Sequence, residues 1–145
     1  MQLSDFARYK TRELSPLSCH YRGYLIETAP PPSGGGVALC EMLNILSGYN
    51  MHALGLHTAP ALQREIEAMR HAYSDRRSLG DPEFVKNPVK ELLDPAYTAR
   101  IRAHTPLNKA TPSASLKEGD ASPEKHETTQ FSVIDKNGFA NSTPN

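Results

Sequence analysis

Between Thr105 and Glu127 the chain has almost nothing with which to build a core. The stretch holds five residues of the hydrophobic class, Leu107, Ala110, Ala114, Leu116 and Ala121, and is punctuated by Pro106, Pro112 and Pro123. So little apolar surface cannot offset the entropy of ordering a backbone. The stretch is expected to be an exposed, extended, mobile linker without regular helix or strand. It divides the chain into residues 1–104, 105–127 and 128–145. A core must come from the first of these, and the chain after Glu127 starts afresh.

Ahead of the linker the pattern is mostly helical. Residues His20 to Thr28 (HYRGYLIET) are rich in aromatic and β-branched side chains and stop at Pro30-Pro31-Pro32, which reads as one strand followed by a stiff polyproline turn. After Ser33-Gly34-Gly35-Gly36, the residues Val37, Cys40, Leu43 and Leu46 recur at three-residue spacing, broadened by Ala38, Met42 and Ile45. A helix this apolar is expected to be buried on most sides, with Gly48 as its terminator. Thr58 followed by Ala59-Pro60 suits an N-cap with proline in the first turn. Leu62, Ile66, Met69 and Tyr73 then form an apolar face, covered elsewhere by Arg64, Glu65, Glu67, Arg70 and Asp75. Gly80-Asp81-Pro82 should end that helix, and Pro88 to His104 should be helical with a break near Asp94-Pro95.

Past the linker the period changes to two. Phe131, Val133 and Asp135 alternate with Gln130, Ser132 and Ile134, and Asn137-Gly138 comes next as the signal of a tight hairpin turn. Thr128 therefore heads a strand. The remainder, Phe139 to Asn145, is too short to complete a sheet.

Composition mainly excludes. The chain carries 16 basic and 16 acidic residues, a formal net charge of +0, with no long run of either sign. Nucleic-acid binding needs clustered Lys and Arg, so no such partner is expected. No apolar run approaches the roughly 20 residues of a membrane span. The opening Met-Gln-Leu-Ser-Asp-Phe has neither the basic nor the apolar part of a signal peptide. Two cysteines, Cys19 and Cys40, are too few for a disulfide framework and are expected as small buried side chains rather than a bridge. The six histidines (His20, His52, His57, His71, His104 and His126) show no metal-ligand spacing and are read as solvated or core side chains. Ser33 to Gly36 before a helix could hold an anion, yet lacks the lysine of a phosphate loop, which favours close backbone packing. Asp75-Arg76-Arg77 reads as a solvated or paired helix end.

Several blocks, in order, resemble the bacterial gamma-glutamyltransferases. They are Tyr21-Arg22-Gly23-Tyr24, Pro30-Pro31-Pro32-Ser33 with its glycines, Leu43-Asn44-Ile45-Leu46, Tyr73-Ser74-Asp75-Arg76, Leu79-Gly80-Asp81-Pro82-Glu83-Phe84-Val85, and Thr128-Thr129-Gln130-Phe131-Ser132-Val133-Ile134-Asp135. The resemblance implies an α+β chain that is a fragment of an N-terminal-nucleophile hydrolase, an αββα sandwich made as one precursor and cut into two subunits. Residues 1–104 would end the large subunit, 105–127 would be the linker, and 128–145 the first strand or hairpin of the small subunit. The cut would fall between Glu127 and Thr128, with Thr128 the catalytic nucleophile. Donors would be glutathione and other γ-glutamyl compounds, acceptors water, amino acids or peptides. The resemblance implies no cofactor or metal and a periplasmic or secreted location.

The chemistry fits that arrangement. A threonine hydroxyl needs a base, and an N-terminal threonine carries one in its own α-amine, whose unperturbed pKa is about 8. In an uncut precursor that nitrogen is an amide. Two departures from the family pattern stand out. Gln130 replaces a histidine common in the family. Thr143-Pro144-Asn145 matches a family Thr-Leu-Asn only if about three residues are missing. On that match Thr143 would support the nucleophile and Asn145 would contact substrate. The alternative to a precursor fragment is an inactive truncated remnant, or a purely structural piece.

Overall fold

The computed structural model describes residues 2–116 and 130–144. A short exposed helix, Leu3–Arg8 (α1), comes first and is closed by Asp5, which accepts from Gln2 N–H at 2.8 Å and pairs with Arg8 at 2.9 Å.

The segment expected as a single strand is a hairpin. Leu17–Tyr21 (β1) and Tyr24–Thr28 (β2) pair antiparallel, with Cys19 opposite Ile26 and Tyr21 opposite Tyr24. Arg22 and Gly23 both have positive φ, 51° and 87°, which turns the chain back within two residues. Aromatic and β-branched content is high on both sides of this turn, so composition alone merges the two strands into one.

The next helix, Gly34–Ser47 (α2), buries Val37, Ala38, Cys40, Glu41 and Ile45, while Leu39 stays 41% exposed. A single turn, Met51–Leu54 (α3), leads to the longest helix, Ala59–Arg76 (α4). Thr58 caps α4 as expected, its hydroxyl accepting from Ala61 N–H at 3.3 Å. The helix ends at Arg76, ahead of Gly80; the Gly80 backbone is instead gripped on both sides by the Asn87 amide, at 2.8 and 2.9 Å. Val89–Leu92 (α5) and Pro95–His104 (α6) are separated at the expected break, where the Asp94 carboxylate accepts from Ala96 N–H at 2.7 Å.

The core lies where α2, α4 and α6 meet, around Ile45, Ala68 and Ile101, with Leu46, Tyr49 and Tyr97 packed against it. Here the expected sidedness of α4 is overturned. Its buried residues are Ala61, Glu67, Ala68 and Ala72. Leu62, Ile66, Met69 and Tyr73 are 39%, 53%, 48% and 52% exposed. Small side chains let two helix backbones approach closely, and Ala68 meets Ile45 of α2, while the large apolar face is left about half-exposed among the described residues.

Two close approaches fix the ends of α2. At its start, a Cβ on Gly36 would sit 2.2 Å from the Ala29 carbonyl oxygen. At its end, Gly48 follows Ser47 as the capping residue, the terminator expected, with an ordinary φ of −81°. Its lack of a side chain admits Arg102, whose Nε would be 2.2 Å from a Cβ there. Arg102 donates to the Asn44 and Ile45 carbonyls at 2.9 and 3.4 Å, placing a cation on the negative end of the helix.

Cys19 and Cys40 are buried, as expected, but they are bridged, which corrects the expectation of free thiols. Residue spacing could not reveal that β1 lies against α2 with the two Cα atoms 5.9 Å apart, within bridging range.

Candidate active site

The strand expected after Thr128 is present. Gln130–Ile134 (β3) pairs antiparallel with Ala140–Pro144 (β4), in a register that sets Phe131 opposite Thr143 and Gln130 opposite Pro144. Pro144, which lacks a ladder donor, falls at the end of its strand. The turn is wider than the two-residue type the Asn-Gly pair suggests. Gly138 N–H reaches the Asp135 carbonyl at 3.1 Å, and Gly138 alone in the turn takes a positive φ, 85°. The Asp135 side chain accepts from Asn137 N–H at 2.8 Å and Phe139 N–H at 2.9 Å, so one carboxylate organises the whole reversal. Glu127, Thr128 and Asn145 lie outside the described residues; Thr143 is in β4. β3 begins two positions after Thr128.

Upstream, the beginning of the linker is neither featureless nor free. Thr105 is buried, and Ser113–Ser115 forms one turn of 3₁₀ helix, against the expectation of a stretch without helix. The chain between them runs along α4 and is tied to it side chain by side chain. Gln63 Nε2 donates to the Pro106 and Lys109 carbonyls at 2.9 and 2.7 Å. Arg64 reaches the Leu107 carbonyl at 3.4 Å. Glu67 Oε1 accepts the Thr111 N–H at 3.1 Å and the Arg70 guanidinium at 2.8 Å, and Arg70 also donates to Ser113 Oγ at 3.1 Å. The Glu67 side chain is only 3% exposed. Burial pushes its carboxyl up, but the Thr111 hydroxyl and N–H and the Arg70 charge outweigh that, and the net shift is downward. The ties are polar and come from both partners, so the apolar content of either segment gives no hint of them.

A second group of buried polar residues escaped sequence reasoning. Glu41 on α2 is 1% exposed, and neither of its oxygens meets an N–H or O–H donor among the described residues. Its near neighbour is another carboxylate, Asp75 on α4. Asp75 can bond to Glu41 only if Glu41 keeps its proton. Burial first, and the Asp75 charge second, push the Glu41 carboxyl up to about 9. On the other side Tyr97 of α6 donates to Asp75, and burial together with that bond pushes the phenol up. His71 is half-buried one turn before Asp75, and burial holds its imidazole down. Of the two readings of this helix end, solvated or paired, the paired one holds for Asp75. A lone acid within an apolar run, Cys40-Glu41-Met42, was the available signal. Among the described residues no three His, Cys, Asp or Glu side chains gather as a metal site. The close contact at Gly36 supports close packing, rather than anion binding, at the start of α2.

Comparison with known proteins covers nearly the whole chain. The sequence pattern of the family described as gamma-glutamyltranspeptidase matches residues 1–143. The glutathione hydrolase proenzyme of Pseudomonas sp. (strain A14) is 54% identical over 138 residues, 94% of this chain and 24% of that protein. The glutathione hydrolase proenzyme of Escherichia coli (strain K12) is 44% identical over 138 residues, again 94% of this chain and 24% of the relative. The crystal structure of Helicobacter pylori gamma-glutamyltranspeptidase superposes with a TM-score of 0.76 at 35% identity, covering 86% of this chain and 36% of that one. The chain spans about a quarter of the length of the curated relatives it matches.

Proposed function

Because this chain belongs to the gamma-glutamyltranspeptidase family, we propose that it is the part of a self-cleaving precursor that carries the cleavage junction and the nucleophile, Thr128. Its helices and hairpins are a portion of the N-terminal-nucleophile hydrolase sandwich. The observation that carries the proposal is the hairpin: a two-stranded antiparallel ladder begins two positions after Thr128. The name proenzyme borne by the relatives accords with processing.

The chemistry runs in two stages. In the precursor the Thr128 oxygen bonds to the Glu127 carbonyl carbon, the carbon–nitrogen bond breaks, and the nitrogen takes the hydroxyl proton. Water then cleaves the ester, leaving a Glu127 carboxylate and a free Thr128 α-amine. In the mature enzyme that amine takes the hydroxyl proton as Thr128 attacks the γ-glutamyl carbonyl of glutathione or a related amide. It passes the proton to the departing amine. The γ-glutamyl ester is resolved by water, or by the amine of an amino acid or peptide. Thr143, paired in register with Phe131, supports the nucleophile, and Asn145 contacts the substrate. A periplasmic or secreted location fits the Cys19–Cys40 disulfide, since such bridges persist in oxidising compartments.

The test places this chain within the precursor of its Pseudomonas A14 relative. The precursor should give two pieces, the second beginning at Thr128. Thr128→Ala should remain one chain, Thr128→Ser should still cut, and Thr129→Ala should cut as well. Normal maturation of Thr128→Ala, or any other new N-terminus, would overturn the assignment. A precursor that cuts but does not hydrolyse a γ-glutamyl anilide would support the inactive alternative.

A further inference from the structure

The ties between α4 and the start of the linker have no part in the chemistry of Thr128, yet they lie on the only covalent route from the helical core to the cleavage junction. We propose that Gln63, Glu67 and Arg70 form a clamp that fixes where the chain leaves α4, and that they are positioning residues for self-cleavage and not for turnover of substrate. The inference rests on the reading of Thr128 as the nucleophile of self-cleavage.

Three observations support it. Three of the clamp's four bonds to the segment go to backbone groups, the Pro106 and Lys109 carbonyls and the Thr111 N–H, so it chiefly holds the path of the chain. Its centre is a carboxylate that is nearly inaccessible and bonded to both the segment and Arg70. Beyond it, Ser113 is held by the same Arg70. With the clamp in place the tether to the junction runs from Ser113 to Glu127, fourteen positions; without it the tether starts at the end of α6, His104, twenty-three positions away. Loop-closure entropy scales as 3/2 RT ln n, so releasing the clamp lowers the chance of the junction meeting its site about twofold, before any loss of orientation. After cleavage the same contacts keep residues 106–113 on α4.

The experiment uses the same precursor, with this chain grafted into its Pseudomonas A14 relative. Gln63→Ala, Glu67→Ala and Arg70→Ala together should raise amide exchange at Thr111 at least about tenfold and slow self-cleavage about twofold or more. The kcat/KM of the matured enzyme for a γ-glutamyl anilide should stay as in the parent. Glu67→Gln retains an acceptor for the Thr111 N–H and should cut at close to the parental rate. If the triple variant does not fold, Gln63→Ala, a half-exposed residue losing two hydrogen bonds, replaces it, with exchange read at the amides of 107–111. Faster exchange at Thr111 with unchanged cleavage overturns the proposal, as does an equal loss in cleavage and turnover. If Thr128→Ala still cuts, the underlying assignment of the nucleophile fails, which the clamp variants by themselves would not show.

Discussion

Tyr97 on α6 donates its phenolic hydrogen to the carboxylate of Asp75 on α4, with 2.5 Å between the oxygens. The same carboxylate faces Glu41 on α2, so three helices meet at one acidic side chain. The junction accepts this concentration of oxygens because Glu41 stays protonated.

That proton makes stability depend on pH. The Glu41 carboxyl is raised from 4.5 to about 9 in the folded chain. Between those values the folded state holds a proton that the unfolded state has released, so stability falls as pH rises. This contribution of Glu41 is greatest below about pH 4.5 and gone above about pH 9. Glu41→Gln supplies a permanent donor to Asp75 and should flatten this slope. At pH 7 it should raise stability by on the order of 1–3 kcal/mol. Denaturant titrations of the 145-residue chain at several pH values measure it; an unchanged slope would refute the proton-sharing account.

The exposed face of α4 predicts behaviour in isolation. Ile66 and Met69 stand about half-exposed in the middle of the Leu62–Tyr73 stripe. Ile66→Lys with Met69→Glu should make the isolated chain more soluble and shift it toward monomer in sedimentation, at less than about 0.5 kcal/mol in stability. The isolated chain should not hydrolyse a γ-glutamyl anilide with or without these changes.

At the end of α2, Gly48→Ala sets a methyl where Arg102 lies and should displace the cap on the Asn44 and Ile45 carbonyls. The expected cost is about 1–3 kcal/mol. Arg102→Ala should cost about 1–2 kcal/mol, and the two changes together should cost less than their sum because they remove one interaction. Thermal unfolding of the three variants checks this.

In the hairpin, Asp135→Ala removes the acceptor of two backbone N–H groups. It should weaken the turn by about 1–2 kcal/mol. In the grafted precursor it should slow the appearance of the Thr128 end, since the strand that bases the nucleophile frays. Asp135→Asn keeps an acceptor and should lie between the two. Electrophoresis of timed samples reads the rate.

What could be read from the residues was whatever local chemistry decides. Thr58 with Pro60 marked the start of α4 because a cap and a ring-fixed φ act within one turn. Asp94-Pro95 marked a break for the same reason. What escaped depends on which surfaces meet. The apolar face of α4 was legible, but Ala61, Ala68 and Ala72 are the side chains that became buried, Ala68 against Ile45 of α2, because backbones approach most closely over small side chains. Glu41 had the look of an ordinary helix acid, and only the position of Asp75 explains it. Around the candidate site the hairpin was legible from alternation and its turn. The hold of α4 on residues 106–113 was not, because hydrogen bonds to backbone carbonyls have no sequence signature.

The bridge between Cys19 and Cys40 closes residues 19–40 into a covalent ring that contains the β1–β2 turn, the proline run and the first half of α2. A protease that cuts inside that ring releases nothing. The product gains the mass of one water and migrates as a single band until a reductant is added, whereupon it falls into two. Damage at the proline run would therefore pass unnoticed in a non-reducing gel. The cut proposed at Glu127, outside the ring, would appear with or without reductant.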